Sequence, residues 1–375
     1  MTRTGIVCEF NPFHEGHRHI IRKVKEMTGG DVVCVMSGCF VQRGEPAVMP
    51  PAGRAAAAVD AGADAVFELP YPWSAASAPF FAEAAVYMLR SLGCDSIAFG
   101  SESCDLGALS AEAAKPRLHA PAGQGSAEIY RRMSPNDILA VEYLRAVGNN
   151  GGDMNAIPVN REGSHLSTEA AREGVFASSA AIREALFRGD SPADVTEASR
   201  AFIESETAAG RCPASPDNLS QAVLAFWRLC DTHNVSGFAE CGGGVAARLK
   251  RAALEAGSYD EMMKLAATKK YTNARLRRAV WFGMTGVGYE DLKSRPAYAR
   301  LLAAGPDGRK MLATGGGISI PIAGRVREIP ESEPAQRQFG LSLKAESLFC
   351  LSLPRPCPSG TFAKESAHFF PGSGV

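Results

Sequence analysis

Two imidazoles, His14 and His17, stand three residues apart across Gly16 in Asn11-Pro-Phe-His-Glu-Gly-His17. Side chains of this type and spacing could bind a metal, hold an anion, or simply be solvated on a loop. Zinc is excluded by the spacing. The metalloprotease pattern His-Glu-x-x-His needs histidines four apart on a formed helix, and no cysteine pair stands nearby. The elements around the histidines favour the anion. Gly5 to Cys8 reads as a short apolar strand, Asn11-Pro12 breaks it, and Gly16 lets the backbone turn and approach a ligand closely. From His17 the pattern is helical, with Ile20, Ile21, Val24 and Met27 on one face. A strand, a glycine turn and a helix N-terminus present free N–H groups and the positive end of the dipole to a phosphate. The expected chemistry is the handling of nucleotide phosphates.

These residues need a scaffold, and the rest of the first half supplies its signals. Asp31–Met36, Ala65–Leu69, Ser96–Gly100 and Met154–Val159 read as further buried strands. Gly53–Ala61, Phe80–Leu92 and Asn136–Val147 read as helices between them. The alternation predicts an α/β fold, a Rossmann-like doubly wound parallel sheet, with ligands beyond the carboxyl ends of the strands. There the sequence places Gln42, Arg43 and Glu45, suited to a small carboxylate or a ribose. Gly100-Ser-Glu-Ser103, Pro135-Asn-Asp137 and Val159-Asn-Arg161 follow in turn, then Ser178 or Ser179 as an N-cap ahead of Arg183. Capping alone would also explain the serines. Residues 104–133 carry prolines and glycines with weak periodicity and read as an insertion or lid.

A chain of 375 residues suggests two or three domains. Apolar residues make up 46% and charged ones 21%, ordinary for a soluble globular protein. Forty basic residues balance 40 acidic ones, so overall charge identifies no partner. No apolar run approaches the roughly 20 residues of a membrane helix, and Glu9 and Pro12 interrupt any signal-peptide pattern. The ten cysteines include no Cys-x-x-Cys pair, and Cys8, Cys34, Cys230 and Cys350 sit singly in apolar stretches. A reducing, cytoplasmic location is expected.

His14-Glu-Gly-His17 resembles the HxGH motif of the nucleotidyltransferase superfamily, whose histidines hold ATP phosphates during attack on the α-phosphorus. Met36-Ser-Gly-Cys-Phe-Val-Gln-Arg-Gly-Glu-Pro-Ala47, Phe67-Glu-Leu-Pro70, Phe99-Gly-Ser-Glu102 and Pro135-Asn-Asp-Ile-Leu-Ala140 follow, then Ser178-Ser-Ala-Ala-Ile-Arg183. In this order they resemble the tRNA(Met) cytidine acetate ligase family over most of the chain. The resemblance implies adenylation of acetate with ATP, accompanied by Mg²⁺, then acetyl transfer to N4 of the wobble cytidine of elongator tRNA(Met). It implies an ATP segment of Val7, Cys8, Glu9, Phe10, Asn11, Pro12, Phe13, His14, Glu15, Gly16, His17, Arg18, His19 and Ile20, joined by Gly100, Asn136 and Arg161. His14, His17 and Arg43 are the expected catalytic groups, with Ser178 and Arg183 closing on the nucleotide. The chain departs from the pattern at Ala180, where a hydroxyl is common, at Pro50-Pro51, where relatives often carry lysine, and at Cys39.

The resemblance also implies a helical, tRNA-binding second part. Residues 1–190 are expected to form the ATP-binding domain, 191–296 a basic helical domain, and 297–375 a small closing subdomain with a mobile tail. Apolar Leu224, Phe226, Trp227 and Leu229 mark one helical face. Residues 245–280 hold nine basic and three acidic side chains, a net +6 in a neutral chain. Such a patch fits a phosphate backbone. Lys269, Lys270, Arg275, Arg277 and Arg278 are the expected tRNA contacts, with Tyr271 either stacking on a base or packed. Two rival readings share the histidines: adenylyl transfer to a phosphorylated metabolite, and a nucleotide- or tRNA-binding protein without catalysis.

Overall fold

The protein is described by a computed structural model covering residues 2–116, 133–160 and 176–370. Most of the expected insertion and Arg161 lie outside the described residues.

Five strands run parallel: β1 (Arg3–Cys8), β2 (Asp31–Ser37), β5 (Ala65–Leu69), β6 (Ser96–Ser101) and β7 (Asn155–Asn160). The spatial order β5-β2-β1-β6-β7 puts β1 at the centre, where the chain reverses direction across the sheet. Val32 to Met36 are wholly buried, because helices cover both faces and no residue of this run can face water. On one face α1 (Glu15–Thr28) and α2 (Pro51–Asp60) press Ile21, Val24, Ala55 and Ala58 against Ile6, Cys34 and Val66. The other face carries α3 (Ala78–Ser91) and α5 (Pro135–Asn149), with Phe81, Ala85, Leu89 and Val141 on Val33, Val35 and Phe67. The short α4 (Leu106–Ala114) lies between them in sequence.

The sheet does not end with the first half. β8 (Ala299–Ala304) pairs antiparallel with β5, and β9 (Ile322–Ala323) and β10 (His368–Phe369) pair parallel with β8. The parallel sheet thus has a mixed edge. Segments expected in a closing subdomain and a mobile tail supply three of its strands, because β5 would otherwise leave a row of peptide groups without ladder partners.

After β7 come α6 (Ser179–Arg188) and α7 (Glu197–Ala208). The helical part comprises α8 (Ser220–Leu229), α9 (Val245–Glu255), α10 (Tyr259–Ala266) and α11 (Asn273–Thr285). Further on, α12 (Pro306–Thr314) follows β8, and α13 (Glu333–Ser352) returns to pack against α11. One core joins this part to the hairpin of β3 (Phe40–Val41) and β4 (Glu45–Pro46). Phe40 meets Trp281 at 5.3 Å between ring centres, and the Tyr71 hydroxyl bonds Thr285 Oγ1 at 2.8 Å. Two expected core positions face water instead. Met27 is 61% exposed in the last turn of α1, beyond the face made by Ile21 and Val24, and Leu229 is 84% exposed at the end of α8.

One buried indole ties the hairpin tip to α11. Trp281 is wholly buried and donates from Nε1 to the Gly44 carbonyl at 2.7 Å. Trp281→Phe keeps most of the apolar volume and leaves that carbonyl without its donor. It should cost about 1–3 kcal/mol of unfolding free energy in urea denaturation, the penalty for a buried acceptor left unsatisfied. An unchanged midpoint and slope would show the hairpin to be held by apolar packing alone.

Candidate active site

His14 is the N-cap of α1 and His17 its third residue. The Gly16 amide donates to His14 Nδ1 at 3.1 Å, and the His14 amide donates to His17 Nδ1 at 3.3 Å. This is a capping box in which imidazoles replace the usual hydroxyl and carboxylate, so the three-residue spacing follows from helix geometry. Because each Nδ1 accepts, each neutral ring carries its proton on Nε2. The rings lie 3.8 Å apart at a tilt of 35°. A β-carbon on residue 16 would come within 2.9 Å of His14 Cε1, so glycine is required for the rings to close on the turn.

Only part of the expected ATP segment can face a ligand with its side chain. Phe10, Asn11, Pro12 and Phe13 are buried beneath the loop, and Asn11 Oδ1 accepts from the Val48 amide at 2.7 Å. Val7, Cys8 and Ile20 are half-buried against the core. Arg18 points outward and pairs with Glu15 at 2.6 Å, and His19 lies beside Phe176 at 5.9 Å. Glu9, Gly16 and His17 are half-buried at the strand end, and His14 is 2% exposed beneath them.

Arg54 holds this loop to the next one. It is 1% exposed in α2 and donates to the carbonyls of Glu9 at 2.6 Å, Ser37 at 3.0 Å and Gly38. Burial lowers its pKa to about 10, still far above neutrality, so a full positive charge gathers the ends of β1 and β2. Arg54 is not among the residues singled out from the sequence. Its signal is nevertheless there: it is the one charged side chain before Asp60 in Pro51-Ala-Gly-Arg-Ala-Ala-Ala-Ala-Val-Asp60.

At the neighbouring strand end, continuing the β1–β6 register sets Gly100 beside Cys8. Asn136 Nδ2 donates to Glu102 Oε1 at 2.5 Å, and the Ser134 hydroxyl to Glu102 Oε2 at 2.5 Å. Asp137 accepts from the Ser101 hydroxyl at 2.5 Å and the Glu102 amide at 3.2 Å. Burial opposes its charge, yet the hydroxyl and amide bonds prevail and hold its carboxyl below the ordinary range. Gly100 and Asn136 therefore border the same carboxyl edge of the sheet as His14.

Helix α6 closes over the loop. Ser178 is its N-cap, accepting from the Ala181 amide at 3.2 Å. The adjacent hydroxyl, Ser179, meets His14 Nε2 at 2.9 Å, so Ser179 rather than Ser178 touches the histidine pair. Arg183 donates to the Asn11 carbonyl at 2.9 Å rather than joining a surface ion pair. Ser199 bonds the Phe13 carbonyl at 2.7 Å, and the Asp194 carbonyl accepts from the Glu15 amide at 2.9 Å. Contacts spanning so many residues carry no periodic signature in the sequence.

The second strand-end loop divides its residues. Arg43 is exposed at the hairpin tip, the Gln42 amide donates to Glu9 Oε1 at 2.9 Å, and Glu45 pairs with Arg277 at 2.6 Å. Arg275 and Arg278 both pair with Glu240, at 3.3 and 3.1 Å, and Arg278 is buried against Gly44. Tyr271 is packed, 7% exposed, with its hydroxyl on the Gly243 carbonyl. Lys269 and Lys270 are exposed. The five expected tRNA contacts thus fall into two exposed lysines and three arginines held by carboxylates.

The arrangement has known counterparts. The family model described as HIGH Nucleotidyl Transferase matches residues 1–361. A tRNA(Met) cytidine acetate ligase of Syntrophotalea carbinolica is 33% identical over 83% of this chain and 82% of its own length. One from Acetivibrio thermocellus is 30% identical over 94% and 95%. The crystal structure of Thermotoga maritima TmcAL bound with alpha-thio ATP matches with a TM-score of 0.85 at 26% identity, covering 98% of this chain and 100% of that one. The chain belongs to the HIGH nucleotidyl transferases and, within them, to the tRNA(Met) cytidine acetate ligase family.

Proposed function

We propose that this chain activates acetate with ATP as acetyl-adenylate and transfers the acetyl group to N4 of the wobble cytidine of elongator tRNA(Met). The observation that carries the first step is the imidazole capping box. His14 and His17 stand at the N-terminus of α1 with their ring protons on Nε2, where donors and the helix dipole together favour phosphate. Acetate oxygen attacks the α-phosphorus and pyrophosphate leaves. Positioning and charge stabilisation dominate such chemistry, which is what two fixed imidazoles and α6 can supply. Mg²⁺ would arrive on the nucleotide phosphates. The loop from Glu9 to His17, with Gly100 and Asn136, would border the nucleotide, partly through backbone groups, with Ser178, Ser179 and Arg183 closing on it. Arg43, exposed at the hairpin tip, would orient acetate or the nucleotide. Lys269 and Lys270 would meet tRNA phosphates, with Arg277 and Arg278 setting the helical surface against the hairpin and Arg275 held by Glu240.

Acetate-dependent exchange of pyrophosphate into ATP tests the first step, and acetylation of a tRNA(Met) transcript the second. An active exchange with phosphorylated metabolites in place of acetate would favour a metabolite adenylyltransferase instead.

His17→Gln separates catalysis from folding, because glutamine can complete the capping box while lacking the imidazole. Its kcat for acetate-dependent exchange should fall by about 10²-fold or more, with unfolding free energy changed by less than about 0.5 kcal/mol. Wild-type exchange in this variant would remove the phosphate role. Arg43→Lys keeps the charge and loses the planar fork, so turnover should still drop; full activity would reduce Arg43 to a long-range charge. Replacing Lys269 and Lys270 by Gln should weaken tRNA binding and flatten its salt dependence by roughly 0.7–0.9 log units per decade for each phosphate left without its lysine. Exchange without tRNA should be unaffected, and an unchanged salt slope would exclude both lysines from the tRNA surface.

A further inference from the structure

Glu9 places an anion beside a site for anions. A site for ATP and acetate handles anions at every stage, yet a half-buried carboxylate directly follows β1, five residues before His14. Its position is tightly constrained. Oε1 accepts the Gln42 amide at 2.9 Å, and its own carbonyl is held by Arg54 at 2.6 Å. The next residue, Phe10, is buried with φ of 46°, in the left-handed region that side-chain-bearing residues rarely adopt. Such strain persists only where the surroundings over-determine it, and it collects at functional positions.

A carboxylate beside anionic substrates is held there by cations, as Arg183 and Arg43 act on Glu9, and it can also take up a donated proton. The proposed reaction contains one donor that must lose a proton at the reacting atom, the exocyclic N4 amine of cytidine. Carboxylates accept hydrogen bonds from that group in nucleic-acid recognition. We propose that Glu9 receives the cytidine N4 amine in the second half-reaction, aligning it and taking its proton. This rests on the ligase reading above. The nitrogen lone pair forms a bond to the acetyl carbonyl carbon of acetyl-adenylate. The bond from that carbon to the AMP oxygen breaks, AMP leaves with the electron pair, and the N4 proton passes to the Glu9 carboxylate.

The surroundings suit a base. Desolvation raises the Glu9 carboxyl above its ordinary range, partly opposed by the Gln42 amide and by Arg183 and Arg43, with Glu45 adding to the rise. Arg54, Cys8 and Tyr143 are the other titratable groups that interact with it. A raised base gains from a better match to the proton it accepts, and acetyl transfer is lost as pH falls through its pKa.

The two half-reactions can be read separately. Enzyme loaded with ATP and labelled acetate is mixed with tRNA(Met) transcript in a single turnover, beside acetate-dependent pyrophosphate exchange. Glu9→Gln retains an acceptor for the Gln42 amide, and its thermal melt checks that it folds. Its transfer rate should fall by about 10²-fold or more, at least tenfold further than its exchange rate, with the acidic limb of the transfer profile removed. Glu9→Asp, which keeps a base, should retain that limb. Equal losses in the two half-reactions, or a raised KM for ATP accounting for the defect, would make Glu9 a nucleotide-binding group and overturn the proposal. So would wild-type transfer. An inactive wild type in both assays would instead overturn the ligase reading, and the Glu9 role with it.

Discussion

The reciprocal bonds between the His14 and His17 side chains and the first turn of α1 are the constraint around which the site is built. An N-terminus leaves backbone amides without helical partners, and two of those at the start of α1 are met by imidazole Nδ1 atoms. The same bonds decide the tautomer of each ring, so local helix geometry also decides which nitrogen carries the proton. Folding and chemistry therefore draw on one set of contacts. Glycine at position 16 is part of that set, because the His14 ring leaves no space for a β-carbon.

A second constraint lies beneath the loop. Arg54 is buried with a full charge, a costly arrangement that its two terminal nitrogens offset by donating to carbonyls at the ends of β1 and β2. Those carbonyls would otherwise be strand ends without ladder partners. One side chain thus supports both the histidine loop and the loop leading to the hairpin. The hairpin in turn meets Glu9 through the Gln42 amide and α11 through Trp281 and Arg277. Histidine loop, hairpin and helical part form a continuous packed path, and the helical part shares its core with residues of the first half.

Charge counting overstated the basic surface for a physical reason. A net +6 between residues 245 and 280 counts only local carboxylates, while Glu45 and Glu240 lie outside that window and pair with Arg277, Arg275 and Arg278. Arginine suits this role, since its planar group can bond while partly desolvated. Lysines 269 and 270 keep their charge toward water.

What the sequence determined by itself was whatever follows from short-range periodicity and turn chemistry. The strands of the parallel sheet, the helices between them, the glycine turn and the histidine pair at a helix start all depend on neighbours within a few residues. Family motifs strung along most of the chain added the reaction. Tertiary structure alone decided that Arg54 from α2 and Ser199 from α7 close on that start, and which atoms Ser179 and Arg183 of α6 reach there. It also decided that β8, β9 and β10 complete the sheet, because a strand's own residues carry no mark of the partner it will pair with. Periodicity reports which face of an element is buried, and it is silent about what buries it.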